Sequence, residues 1–432
     1  MIHSPKPEIA GYFAKLKKNP LIQAGFWLTL ANLMAGVLGY VYQVLIGRML
    51  IPGEFALFSA VLALFVFFAS PFNAMSQVIL RRVSTLRGQG LQDTLRQLYA
   101  WTTLRLGIFV LLLLIVVVVF QQHLQGWLNT DLLLPVWFFF IIMAFNAYYL
   151  INNAFFQGIQ RFDLLGILTL TSVLLKIILS VAFIYWGFNI TGALSGVSVS
   201  LVLSWFTGFV LLRQLLPPVK NKPAHIFDSF PIASTLPVLI ANIAFAAMTQ
   251  LDMVLVNNLF AANDAGAYAA ASVLGKAVLY IPGGLVLALF PLVAEGHAQN
   301  KNSYPMLIQA LLVSFLLCGF VALVYWLFAD NIILLLYGEA YVGADVLLKW
   351  YGFAILPMAL VLVAEYFMIA KGEVLFTWLF LAMSPIQIFL MLFWHDHLWQ
   401  IIVIMGGCGT ALLLTGFYML LRRYLKTENY YA

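Results

Sequence analysis

Val44–Ala60 reads VLIGRMLIPGEFALFSA: an apolar run ends at Arg48, turns at Pro52-Gly53 and restarts at Phe55. Val254–Ala270, 210 residues further on, reads VLVNNLFAANDAGAYAA and repeats the design without a gap. Val44 meets Val254, Leu45 meets Leu255, Glu54 meets Asp264, Phe58 meets Tyr268 and Ala60 meets Ala270; upstream, Ala31-Asn32 meets Ala241-Asn242. Two hairpins of one design, half a chain apart, predict a chain made of two copies.

Composition sets the medium in which those copies fold. Of 432 residues, 64% are hydrophobic and 9% charged, with mean hydropathy +0.99. Soluble domains carry about 25% charged residues, and no water-soluble fold hides this much apolar surface. The chain reads as a multi-spanning membrane protein. In such a protein the net charge of +6 sets orientation and does not point to nucleic acid. Cys318 and Cys408 lie inside apolar runs and read as small core fillers, not as a disulfide framework. The first residues, MIHSPKPEIAGYFAKLKKNP, lack a short apolar core with a cleavage site and read as a cytoplasmic tail.

Twelve spans are expected, at 22–47, 55–79, 98–120, 132–157, 164–186, 190–213, 231–258, 266–292, 305–329, 346–370, 373–394 and 398–421. Each can cross a hydrocarbon layer of about 30 Å at about 1.5 Å per residue. On this map 17 of the 22 Lys and Arg fall in loops on one side, which places both termini in the cytoplasm. The expected fold is all-α: residues 1–21 a tail, 22–214 a six-helix lobe, 215–230 a cytoplasmic linker with Pro217-Pro218, 231–421 a second six-helix lobe, and 422–432 a tail. With six spans per lobe the repeat is parallel, its pseudo-two-fold along the membrane normal. Arg81–Arg96 reads as an amphipathic surface helix, and Asp330–Asp345 as the largest outside loop. Span two is expected to break at Ser70-Pro71 and span eight at Pro282-Gly283-Gly284, as packing kinks or as bending points.

No catalytic motif is present: no HExxH, nucleophile elbow or Walker loop. His395-Asp396-His397 reads as a solvated turn, because two His and one Asp make an incomplete metal shell. The informative residues are ionisable groups inside spans, where a central charge costs at least about 2.5–3.5 kcal/mol. Lys176 in span five and Lys276 in span eight fall near mid-depth, and Asp252 lies in the outer part of span seven. Lys276 and Asp252 either form a structural ion pair or face a wet cavity; Lys176 has no obvious acid nearby. Glu365 either snorkels or pairs with Lys371, and Arg105 snorkels. Asn146, Tyr149, Asn153 and Gln157 share one face of span four, flanked by Tyr148 and Asn152. Span one carries Asn32, Gly36, Gly39 and Gln43 on one face, and span seven carries Asn242, Thr249 and Asp252. Such stripes either glue helices together or line a lumen. In a lumen, amides and tyrosines suit sugar hydroxyls and lysines suit a phosphate.

The segments GRMLIPGEFALFSAVLAL, LDMVLVNNLFAANDAGAYAAA and LLLYGEAYVGADVLLKW resemble the oligosaccharide flippase, or polysaccharide biosynthesis, branch of the multidrug/oligosaccharidyl-lipid/polysaccharide exporter superfamily. The matching residues are Arg48-Met49-Leu50, Glu54-Phe55, Leu251-Asp252, Gly266 to Ala270 and Tyr337 to Ala344. Met253 stands where the family often has a basic residue, and Ile51 where it usually has Gly. The resemblance implies two lobes around a central cavity and a monomeric transporter. It also implies movement of undecaprenyl-pyrophosphate-linked oligosaccharide to the outer leaflet of a bacterial cytoplasmic membrane by alternating access. Lys176 and Lys276 would then serve the anionic head, Asn146, Tyr149, Asn153, Asn32 and Asn242 the cavity, and Asp252 coupling or pairing. No cofactor is implied beyond a coupling ion, H+ or Na+. The implied partners are the lipid-linked oligosaccharide, membrane lipid and the polysaccharide polymerase machinery. Two rival readings stand: a multidrug cation antiporter of the same superfamily, which wants deep carboxylates in both lobes, and a polysaccharide polymerase or ligase, which wants a long basic outside loop.

Overall fold

The computed structural model describes residues 20–218, 232–283, 304–370 and 375–431. Among them all regular structure is helical. The helices are α1 Pro20–Met49, α2 Pro52–Gly88, α3 Gln92–Trp127, α4 Leu134–Gly158, α5 Phe162–Phe183, α6 Asn189–Leu215, α7 Ile232–Leu259, α8 Ala262–Gly275, α9 Tyr304–Leu336, α10 Ala344–Ala370, α11 Leu375–Phe393 and α12 Leu398–Tyr431. These correspond one to one with the twelve expected spans. Ten helical runs among the described residues are long and apolar enough to cross a membrane. One of them, Phe162–Leu215, holds both α5 and α6, joined through a π-turn at Ile184–Phe188 whose Gly187 takes φ +88°. Span eight is described only as far as residue 283. The residues before 20, the linker from 219 to 231, Gly284, Lys301 and Lys371 lie outside the described residues.

The two hairpins match to the residue. α1 ends at Met49 and α2 begins at Pro52; α7 ends at Leu259 and α8 begins at Ala262, each 210 positions on. Their closing hydrogen bonds match as well. Leu50 N donates to Ile46 O and Phe55 N to Ile51 O, both at 3.0 Å; Phe260 N donates to Val256 O at 3.1 Å and Ala265 N to Ala261 O at 2.9 Å. Proline at the first position of α2 suits a site whose N–H would have no helical partner.

Three sequence expectations change. Arg81–Arg96 is not a separate surface helix: α2 runs unbroken to Gly88, and a short turn with Gly90 at φ +74° leads into α3. No Gly or Pro interrupts residues 79–87, so the helix stops only where glycines arrive. Residues 330–336 are not loop: α9 bends at Phe328, with φ −124° and ψ 16°, and continues to Leu336. Pro71 does not break α2. Proline at 71 leaves the Phe67 carbonyl without its helical donor, and the Ser70 hydroxyl donates to that carbonyl at 2.8 Å. Pro385 in α11 is handled the same way, with Ser384 Oγ donating to Leu381 O at 3.0 Å.

The described residues form two compact units. One contains residues 20–43, 75–119 and 140–218; the other contains 44–74, 120–139 and the described residues from 232 onward. This partition differs from the covalent halves 22–214 and 231–421, because the first hairpin packs with the second half.

In the first unit α6 carries a row of small residues one turn apart: Gly192, Gly196, Ser200, Ser204 and Gly208, all buried. A β-carbon at Gly196 would collide with Ser180 of α5, and one at Gly208 would sit 2.7 Å from the Asn152 amide of α4. Small residues at this spacing let helices approach where no hydrophobic drive separates helix from lipid.

Candidate functional site

Asp252 of α7 is fully buried and its carboxylate is saturated with donors. Oδ1 accepts from Lys276 Nζ at 3.0 Å. Oδ2 accepts from Tyr268 Oη at 2.8 Å and from Tyr351 Oη at 2.9 Å. Ser272 Oγ lies 3.1 Å from the Tyr351 hydroxyl. Tyr268 and Ser272 lie on α8 and Tyr351 on α10, so one carboxylate ties three helices together. Charge-assisted donors at these distances satisfy a carboxylate that burial would otherwise penalise heavily. At Lys276 the backbone tightens from α8 into a 3₁₀ segment, Lys276–Tyr280. The departure from α-helix thus begins six residues before Pro282, where the sequence places it. A 3₁₀ stretch inside a span is a common hinge.

The first half answers differently. Tyr42 of α1 occupies the position that the 210-residue repeat gives to Asp252. It is buried, and its hydroxyl lies 3.2 Å from Ser180 Oγ, which itself donates to Ala193 O at 3.1 Å. Lys176 Nζ rests 4.4 Å from the centre of the Tyr42 ring. A cation over an aromatic face is attracted by the ring quadrupole. Among the described residues no carboxylate pairs with Lys176, whereas Lys276 is paired.

The remaining expected residues divide. Asn146, Tyr149 and Asn153 of α4 are half-buried along one face, and Gln157 is exposed. Asn153 Oδ1 is buried without a partner among the described residues. Asn152, expected only as a flank of that face, is the residue that glues helices. It accepts from Tyr99 Oη at 2.6 Å and donates to Trp205 O at 2.9 Å. Asn32 is exposed and Asn242 half-buried. Glu365 is buried and does not snorkel, and its Oε1 has no partner among the described residues. Arg105 is exposed and lies over Trp101 at 4.3 Å. Cys318 and Cys408 are free and buried. Among the described residues no group of His, Cys, Asp or Glu could hold a metal ion.

The hairpins also reach crosswise to matching helix ends. Arg48 Nη1 donates to Leu335 O, near the end of α9, at 2.6 Å. Asn258, its counterpart in the repeat, donates to Gly126 O, near the end of α3, at 2.7 Å, and Asn257 donates to Leu128 O at 2.7 Å. The acceptors Gly126 and Leu335 are 209 apart, one residue short of the repeat. The last carbonyls of a helix have no internal donors and carry the negative end of its dipole, which is why a guanidinium and two amides serve there. Tyr341 closes the first hairpin by donating to Gly47 O. Burial raises its phenol above the ordinary value, so it remains a donor. The tips themselves touch: a β-carbon at Gly53 would sit 2.9 Å from that of Ala262, and one at Gly266 would run into Pro52. Sequence comparison paired these hairpins in register; that they meet each other follows only from tertiary packing.

The sequence profile of the family described as "Polysaccharide biosynthesis protein" matches residues 21–297. A Haemophilus influenzae protein, "Lsg locus putative protein 1", is 26% identical over 184 residues, 38% of this chain; the match spans 46% of that protein's length, about half of it. An inward-facing multidrug resistance MATE family transporter of the MOP superfamily superposes with TM-score 0.78 at 12% identity, over 92% of this chain and 96% of its own. The lipid II flippase MurJ, in an inward closed conformation, superposes with TM-score 0.71 at 15% identity, over 91% and 87% respectively. At these identities the two structures share the fold with this protein. With its profile match running through most of the described helices, this multi-pass membrane chain belongs to the polysaccharide biosynthesis protein family.

Proposed function

We propose that the protein is a flippase of a bacterial cytoplasmic membrane that carries a polyprenyl-pyrophosphate-linked oligosaccharide to the outer leaflet by alternating access, for O-antigen, lipopolysaccharide, capsule or exopolysaccharide assembly. Family membership and the shared transporter fold support a membrane flippase or transporter as the class. The observation that carries the finer reading is Lys176, a half-buried cation in mid-helix that no carboxylate neutralises among the described residues. A pyrophosphate crossing a low-dielectric region needs such a counter-charge. The Asn153 acceptor, with Asn146 and Tyr149 on the same face, suits sugar hydroxyls. Coupling to H+ or Na+ falls to the second half, which holds the two buried acids found among the described residues, Asp252 and Glu365. The protein works as a monomer, without a cofactor and without covalent chemistry of its own, and delivers to the polysaccharide polymerase machinery.

A multidrug cation antiporter is the second reading, and the 0.78 superposition with a multidrug transporter favours it. Against it, no acid is buried among the described residues of the first half. The test is Lys176→Gln in a strain lacking its own flippase. Loss of surface polysaccharide at normal protein level is expected. Intact polysaccharide together with sensitisation to cationic drugs overturns the reading in favour of the antiporter.

A further inference from the structure

We propose that the flank of the first half holds one anionic glycerophospholipid of the surrounding membrane, at a site separate from the proposed cargo residues. An open cleft of about 590 Å³ runs along α3 beside α4 and α6. Its α3 wall is a stripe at three- and four-residue spacing that begins at Arg96 and ends at Leu111. Arg96 lies one turn inside the start of α3 and Arg213 two residues before the end of α6, so both basic groups stand at one mouth of the cleft. Neither arginine pairs with a carboxylate among the described residues. The other end is apolar and faces outward: Leu104 is 68% exposed, Ile108 56% and Leu111 57%.

A cationic mouth continuing into an exposed apolar wall is complementary to a phosphate head with an acyl chain. From Arg96 to Leu111 the helix rises about 22 Å, against about 15 Å of hydrocarbon per leaflet. The cleft therefore fits a head group and one leaflet-length chain. A polyprenyl chain, longer than a leaflet is deep, overruns it. Gly107 keeps the floor open: a β-carbon there would stand 3.1 Å from the Tyr148 hydroxyl, which lines the cleft. The mouth also falls on the side to which the basic residues assign the cytoplasm, where anionic lipid attracts Lys and Arg.

Native mass spectrometry of the purified full-length protein in detergent micelles, with phosphatidylglycerol or phosphatidylcholine added, tests this. One phosphatidylglycerol adduct is expected at concentrations where phosphatidylcholine gives none. The paired variant Arg96→Gln, Arg213→Gln is expected to weaken the adduct by about tenfold or more. Gly107→Leu, which keeps both arginines and fills the floor, is expected to weaken it as well. Equal binding of the two lipids, or phosphatidylglycerol binding unchanged in both variants, overturns the site. Displacement of phosphatidylglycerol by undecaprenyl phosphate at lower concentration overturns the choice of occupant.

Discussion

Tyr42 and Asp252 occupy one position in two copies of a repeat, and each meets a lysine. In the second half the lysine is neutralised by a carboxylate that two tyrosines also hold. In the first half the lysine rests on a ring, and no carboxylate stands beside it among the described residues. A second repeat position changes in concert: Phe58 becomes Tyr268, whose added hydroxyl is one of the donors on Asp252. Two paired positions therefore turn an aromatic site beside a cation into a saturated ion pair, on backbones whose hairpins match to the residue. The two copies share hairpin shape and differ in charge at these positions.

Breaking the saturated side has the largest expected effect. Asp252→Ala leaves Lys276 in the interior with its side chain 11% exposed and no counter-charge. Stranding one member of such a pair costs about 3–5 kcal/mol. The protein is expected to melt at markedly lower temperature in detergent, and a second change, Lys276→Met, to restore most of the loss. A double variant no more stable than Asp252→Ala alone would mean that the tyrosines, not the lysine, set the stability.

The hairpin contact is the next target. Gly266→Val places side-chain atoms where Pro52 already stands. Overpacking of this kind costs about 1–3 kcal/mol. Cross-linking between cysteines introduced at 53 and 262 is expected to fall in this variant; undiminished cross-linking would show that the tips are not held together by this packing. Tyr341→Phe removes one buried hydrogen bond to Gly47 and is expected to cost about 1 kcal/mol, read as a small fall in melting temperature. No change would place that bond outside the stabilising set. Ser384→Ala is expected to cost a similar or smaller amount, by exposing the Leu381 carbonyl that Pro385 cannot serve; an unchanged melting temperature would mean that water or lipid serves that carbonyl as well.

Much of the fold was legible because hydropathy in a membrane acts locally. Span length and basic-residue placement each need only a window of sequence, and the repeat needs only alignment. The continuity of helices was less legible. Ser70 and Ser384 repair proline gaps by hydrogen bonds that hydropathy does not report, and α2 passes through a region whose polarity suggested a surface helix. At the site, Lys176, Lys276 and Asp252 stood out because charge in a span is costly. Tyr351 and Ser272 did not, since a tyrosine and a serine in an apolar run look ordinary until α8 and α10 bring them to Asp252. In sequence Asn152 only flanks the stripe, because only packing separates the face of α4 that meets α3 and α6 from the face carrying Asn153. The row of small residues in α6 keeps a four-residue spacing, but small side chains are so frequent in this chain that spacing alone does not single it out.

The most direct test changes Lys176 in a transport assay. Lys176→Gln strands no acid, so the protein is expected to fold and melt near the parent temperature while export of lipid-linked oligosaccharide, scored as surface polysaccharide in a flippase-deficient strain, falls at least tenfold. Full export by Lys176→Gln at normal protein level would contradict the claim that the unpaired cation of the first half meets the cargo.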